Sequence, residues 1–230
     1  MSKSRRLVFA ALASTLAVLI ACLSAAAQQT GVHPLSGRRY AAVMGYQGAD
    51  WLDREERDIE EAPDKALDAL ELKPGMTVAD IGAGSGYMTA RLAKRVGPSG
   101  KVYAEDIQPQ MIELLNDRLK RDRITTVIPV LGTPDDPKLP PDTIDLMLLV
   151  DVYHEFSDPV KMLNGMRAAL KSGGRLVLLE YRKEDPSIPI RLEHKMTVTE
   201  AKIEVEAAGF ALTKVDERLP RQHILIFTKP

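Results

Sequence analysis

Apolar residues along this chain come in two rhythms. Short runs rich in leucine and β-branched residues cover 76–81, 101–106, 125–130, 144–150 and 175–180, with two more at 210–216 and 223–227. Between them lie segments spaced as helices, at 62–70, 87–96, 109–121, 159–170 and about 199–208. The run 144–150 is almost unbroken, as expected of a strand covered on both faces. Pro109 and Pro159 sit where a helix starts, since a fixed φ and a missing N–H cost nothing there. Gly173-Gly174 is expected to end the helix before the fifth strand, and Gly209 to cap the last helix. Strand and helix alternate five times before two closing strands, which predicts an α/β fold: a doubly wound, mostly parallel sheet with helices on both faces.

Two stretches fall outside this alternation. Residues 1–27 open with Lys3, Arg5 and Arg6, run apolar from Leu7 to Leu23 and end in Ser24-Ala25-Ala26-Ala27, the composition of a signal peptide cleaved before Gln28. Leu19-Ile20-Ala21-Cys22 offers a second processing site, because it resembles the lipobox of bacterial lipoproteins, in which the cysteine is lipidated. The expected location is therefore exported and periplasmic, or membrane-anchored through Cys22. Residues 28–61 are polar and irregular, interrupted by Pro34, Gly37, Gly45 and Gly48, and read as an arm with a short helix able to fold over a pocket as a lid. Residues 62–230 form the main domain.

Charge and cysteine usage narrow the chemistry. Basic and acidic residues number 31 and 32 and aromatics make up 5%, so the electrostatic footprint of a nucleic-acid binder is absent. Cys22 is the single cysteine, which rules out an internal disulfide, a thiolate zinc site and a cysteine nucleophile in the domain. Oligomeric state leaves no sequence signature here.

The most informative segment is Val78-Ala79-Asp80-Ile81-Gly82-Ala83-Gly84-Ser85-Gly86-Tyr87, a strand ending in an acid that turns through three glycines into a helix. It lies at the carboxyl end of the first strand, where open α/β sheets place their ligands. A dinucleotide fingerprint would space its glycines Gly-x-Gly-x-x-Gly to seat a pyrophosphate on the helix N-terminus. Here the spacing is Gly-x-Gly-x-Gly and Asp80 adds negative charge, so a ligand carrying positive charge fits better. A second acid, Asp106, closes the next strand 26 positions after Asp80, near the offset of roughly 20 residues at which an acid meets a ribose hydroxyl.

These motifs resemble those of the class I S-adenosylmethionine-dependent methyltransferase family, from about Ala62 to Phe227. The resemblance implies a Rossmann-like sheet of seven strands whose last strand is antiparallel, with S-adenosylmethionine as cofactor. It places Gly82, Ala83, Gly84 and Gly86 along the methionine part, with Asp80 reached through the amino group or a water. Asp106 would bind the ribose, Ile107 would pack on the adenine, and Thr133 and Asp135 would meet the adenine amino group. The acceptor would be a small molecule. The rival from another class is an exported, non-catalytic protein that binds the same nucleoside.

Asp151-Val152-Tyr153-His154-Glu155 follows the fourth strand directly, where the family puts groups near the transferred methyl. His154 is the expected general base, because imidazole titrates in the useful range, and Asp151 and Tyr153 are expected to orient the acceptor. His154 also reads as a hydrogen-bonded structural residue at a strand end. His194, in the charged stretch Glu193-His194-Lys195, either faces the acceptor or belongs to a solvated loop, and its setting favours the loop. No His-Glu-x-x-His spacing or cysteine pair supports a metal at Asp151, His154 and Glu155, so none is expected. Export creates a tension of its own, since the cofactor is made in the cytoplasm.

Overall fold

Each buried strand finds its neighbours through register, and the register decides where the site lies. The computed structural model describes residues 31–230; the expected leader and Cys22 lie outside the described residues. Seven strands, β1 (Thr77–Ile81), β2 (Lys101–Asp106), β3 (Val127–Leu131), β4 (Ile144–Val150), β5 (Leu170–Tyr181), β6 (Ala211–Asp216) and β7 (Gln222–Thr228), form one sheet in the order β3-β2-β1-β4-β5-β7-β6. All pairings are parallel except those of β7, which runs against both β5 and β6.

Helices α1 (Ala49–Leu52) and α2 (Arg57–Glu61) belong to the arm, followed by α3 (Pro63–Ala69), α4 (Tyr87–Val96), α5 (Pro109–Arg121), α6 (Pro159–Ala169) and α7 (Val198–Ala207). Leu67, Leu92 and Leu115, from α3, α4 and α5, pack on one face of the sheet against Val78, Leu146 and Val177. Met162, Leu163 and Val205, from α6 and α7, cover the other face against Ile81, Met147 and Leu178. The alternation of neighbours such as Leu146 and Met147 between these clusters is the period-two pattern of a strand buried on both sides.

Ile81 pairs with Glu105 and with Leu149, and Val150 with Leu179. The parallel strands β1, β2, β4 and β5 therefore end together, and Gly82, Asp106, Asp151 and Glu180 share one rim.

One expected boundary is wrong. Gly173-Gly174 does not end α6: Leu170 is already extended (φ −71°, ψ 140°) and begins β5. The first rung, Ile144 with Leu170, is followed by a shift to Leu146 with Arg175. The glycines sit inside the strand because Gly173 N donates to Lys229 O and Lys229 N to Gly174 O, both at 2.9 Å, so the end of β7 supplies their backbone partners.

Candidate active site

The first strand delivers Gly82 with φ 67° and Gly84 with φ 54°, the left-handed region that side chains rarely tolerate. A Cβ on Gly82 would lie 2.6 Å from a Val152 methyl, and one on Gly84 2.6 Å from Leu52. The turn is thus packed between the loop after β4 and the arm. Gly84 N donates to Asp106 Oδ2 (3.0 Å) and Gln108 N to Asp106 Oδ1 (2.8 Å), while Ala83 N donates to Glu105 O (2.8 Å). Gly86 precedes α4 as its cap, and Ile107 is half-buried beside Asp106.

Three acids line this cradle. Asp80 is buried, accepts from Thr89 Oγ1 (2.6 Å), and is pushed up to about 6 by burial despite that bond. Asp106 is also raised by burial, against the pull of its backbone donors. Glu105 is pushed up to about 8, first by burial and then by the charge of Asp106; its Oε1 is buried with no partner among the described residues. A glycine turn without Cβ atoms, a carboxylate held by that turn and an orphaned buried oxygen beside it fit a ribose-bearing cation such as S-adenosylmethionine. Thr133 and Asp135 lie in the loop after β3, bonded to each other at 2.9 Å. Asp135 is exposed there, and no contact places either residue against the turn.

The loop after β4 divides its residues between the core and the rim. Tyr153, expected to orient an acceptor, instead buries its ring in the apolar cluster under α6 and α7, edge-on to Phe156 and with the Arg38 guanidinium 5.5 Å from its centroid. Asp151 takes a left-handed backbone (φ 55°) and accepts from Gln222 Nε2 (2.7 Å). Burial, then the nearby Glu61 and Glu180, holds its carboxyl well above the usual range. His154 is buried, with Nδ1 2.6 Å from Glu180 Oε2 and Nε2 3.1 Å from His194 Nδ1. Burial pulls its pKa down, but the Glu180 carboxylate outweighs burial and leaves it raised. Glu155, pushed up to about 7 by burial, lies 3.8 Å from His194 Nδ1.

His194 is therefore part of the site and not of a solvated loop. The excursion after β5 returns beside that strand: Met196 N donates to Tyr181 O (3.0 Å) and Lys183 N to Met196 O (3.1 Å). The buried Lys195 ammonium closes the excursion on the carbonyls of Asp185 and Ile188. Thr197 and Glu200 then lock the start of α7 in a reciprocal capping box.

The arm is docked as a strap across the rim. Arg38 forks onto the buried Glu204 carboxylate of α7 (3.0 and 2.9 Å), and the His154 carbonyl accepts from both Arg38 Nη1 (2.9 Å) and Ala41 N (3.0 Å). Met44 N reaches the Glu155 carboxylate (3.2 Å), and Met44 O accepts from Gln108 Nε2 (3.0 Å). Farther on, Tyr181 OH donates to Glu61 (2.9 Å), whose other oxygen accepts from Arg57 (2.7 Å). Trp51 of the arm is half exposed and stacks under Arg54, 3.8 Å from guanidinium carbon to ring centroid.

Sequence reasoning passed over Glu105, Arg38 and Glu204. Each looks like an ordinary surface charge until the fold buries it, although an acid directly before Asp106 at the buried end of a strand was a usable signal for Glu105.

A family model described as a methyltransferase domain matches residues 72–218. The ubiquinone/menaquinone biosynthesis C-methyltransferase UbiE of Vibrio campbellii is 32% identical over 118 residues, covering 51% of this chain and 46% of that protein; this chain matches less than half the length of that relative. A solved SAM-dependent methyltransferase from Aquifex aeolicus superposes with a TM-score of 0.78 at 26% identity, over 82% of this chain and all of that one. The [4+2]-cyclase SpnF shares the fold at 15% identity and a TM-score of 0.63, over 74% of this chain and 80% of that one.

Proposed function

Because the chain belongs to the S-adenosylmethionine-dependent methyltransferases, we propose that it transfers a methyl group to a small-molecule acceptor held at the rim of β4 and β5. One observation carries this reading: Val152 rests against the Gly82 turn, and the cluster of His154, Glu155 and His194 begins two residues later. Cofactor cradle and acceptor-side groups are therefore neighbours. Alignment of that kind accounts for roughly 7–11 kcal/mol of such a barrier.

In this reading Asp106 takes the ribose hydroxyls and the Gly82–Gly84 turn admits the methionine end. The acids around the rim favour its positive charge. Bound S-adenosylmethionine supplies an activated methyl, whose C–S bond breaks with the electron pair going to sulfur as the acceptor atom bonds to carbon. The acceptor's proton passes to the cluster, where partly exposed His194 faces the acceptor and buried His154, held by Glu180, backs it. Asp151 borders the acceptor side.

Calorimetry with S-adenosylmethionine and with its demethylated product tests the cradle. Both bind at one site, and Asp106→Asn weakens them about 10- to 100-fold, the value of a hydrogen bond to a charged group. His194→Ala keeps cofactor affinity but slows transfer of labelled methyl to small-molecule extracts by about 100-fold or more. Absence of heat and of a melting shift with either nucleoside overturns the reading; cofactor binding without any transfer leaves the binding-protein alternative.

Residues 1–27 are read as an export leader, 28–61 as the strap that completes the site and 62–230 as the transferase domain. Mass measurement of the protein recovered from producing cells should give a chain starting at Gln28, or a lipidated one starting at Cys22. An intact chain confined to the cytoplasm overturns export. Among the described residues no helix is long and apolar enough to cross a membrane.

A further inference from the structure

We propose that His154, Glu155 and His194 form a binding site for one divalent transition-metal ion of the zinc or ferrous kind, at the acceptor side of the rim. Two imidazole nitrogens, His154 Nε2 and His194 Nδ1, point at each other across 3.1 Å. Glu155 Oε1 stands 4.0 Å from the first and 3.8 Å from the second. Two nitrogens each about 2.1 Å from one ion, with an angle near 95° between them, would be separated by about 3.1 Å. The carboxylate completes the set by moving inward by about half an ångström, within reach of a half-buried side chain that an arm amide now holds.

The surroundings are those of a ligand set and not of a simple hydrogen-bonded pair. Glu180, fully buried, takes the Nδ1 side of His154 at 2.6 Å. That bond fixes the tautomer so that the Nε2 lone pair faces the cluster, the way carboxylates orient metal-bound histidines. His223 provides the contrast within the same chain. Its nitrogens go separately to Glu217 (2.6 Å) and Glu184 (3.0 Å), so both already have carboxylate partners and they converge on nothing. Among the described residues, the His154 cluster is the one group of three such side chains whose ligand atoms converge, all within 4.8 Å of one another.

Two nitrogens and one oxygen, without sulfur, suit borderline divalent ions that keep open positions for a further ligand. His194 is partly exposed, so those positions face solvent and the acceptor. The ion's role rests on the methyl-transfer reading: with the ion bound, an acceptor hydroxyl or thiol that joins the coordination sphere loses its proton more readily, as metal-bound water does, and this replaces direct proton transfer to His154 Nε2 and His194 Nδ1, which the ion then occupies. The site itself does not depend on that reading.

The test uses tag-free full-length protein stripped with a chelator, then titrated with Zn²⁺ by calorimetry and with Co²⁺ by visible absorption. One equivalent should bind, and Co²⁺ should develop the ligand-field bands of a four- or five-coordinate N/O site. His194→Ala, at a partly exposed side chain outside the apolar clusters, should weaken both ions at least 10-fold with an unchanged melting temperature of the stripped protein, and Glu180→Gln about 10- to 100-fold. His223→Ala should leave affinity unchanged. Failure of the stripped protein to take up either ion, or equal binding by His194→Ala, overturns the site. Calorimetry with S-adenosylmethionine on the same stripped protein reads the cradle separately, so loss of one does not imply loss of the other.

Discussion

Glu105 and Asp106 are consecutive acids with opposite surroundings, because neighbouring strand residues face opposite sides of the sheet. Asp106 turns toward the glycine turn and is satisfied by backbone N–H groups, whereas Glu105 pairs in register with Ile81 and leaves one oxygen unsatisfied. Folded Glu105 keeps its proton up to about pH 8, and an unfolded one gives it up near 4.5. The folded state thus binds the extra proton in that window. Stability from this group is complete below the window and is lost as pH rises through it, by a few kcal/mol at the alkaline end. Glu105→Gln should accordingly flatten the fall in melting temperature between pH 5 and 8.5; parallel curves for the two proteins would show that the burial is not felt. The positions of Asp80 and Asp106 near the ends of their strands, and of the glycines in the turn, were legible in sequence because they follow from chain order alone. Tyr153 was not, since its ring could take either side of the turn and the apolar cluster under α6 claimed it. His194 was hidden for another reason: its place depends on one backbone rung to Tyr181 and on a buried lysine, Lys195, fourteen residues after Tyr181.

Among the elements, the strap matters most for the site's shape, and its hold depends on Arg38. Arg38 and Glu204 are both buried, so removing Arg38 leaves the Glu204 carboxylate without its guanidinium, with only the Ser36 hydroxyl and His33 beside it, a loss of up to about 3–5 kcal/mol for such pairs. Arg38→Met should therefore lower unfolding stability by that order, measured in denaturant, and should also free the His154 carbonyl from one of its two donors. The paired replacement Arg38→Met with Glu204→Leu should recover most of the loss, because the apolar pair has no desolvation cost. Unchanged stability in Arg38→Met alone would mean that the ion pair is not what holds the strap. The long periodic elements were readable: β2, β4, α4 and α5 fall at their expected bounds. The arm resolves into two short helices joined by ion pairs to distant helices, which no local pattern encodes. The early start of β5, at Leu170 instead of 175, has the same origin, since the backbone partners of Gly173 and Gly174 come from the far end of the chain.

For the molecule as a whole, the fold assigns the two halves of the site to different kinds of structure. In the proposed reading the cofactor half lies on strand ends that sheet register aligns, and the acceptor half lies on the loop after β4 and the excursion, which bonds outside the sheet hold in place. That division agrees with a fold shared by a transferase from Aquifex aeolicus and a cyclase. It also bears on traffic through the site. Leu52 overhangs the turn at Gly84, so a nucleoside cannot settle there until the chain's own leucine has stepped aside. Admission then becomes a waiting process: in rapid mixing, the observed binding rate should climb with nucleoside concentration and level off at the speed of that departure. A rate that keeps rising in proportion would mean the doorway already stands open.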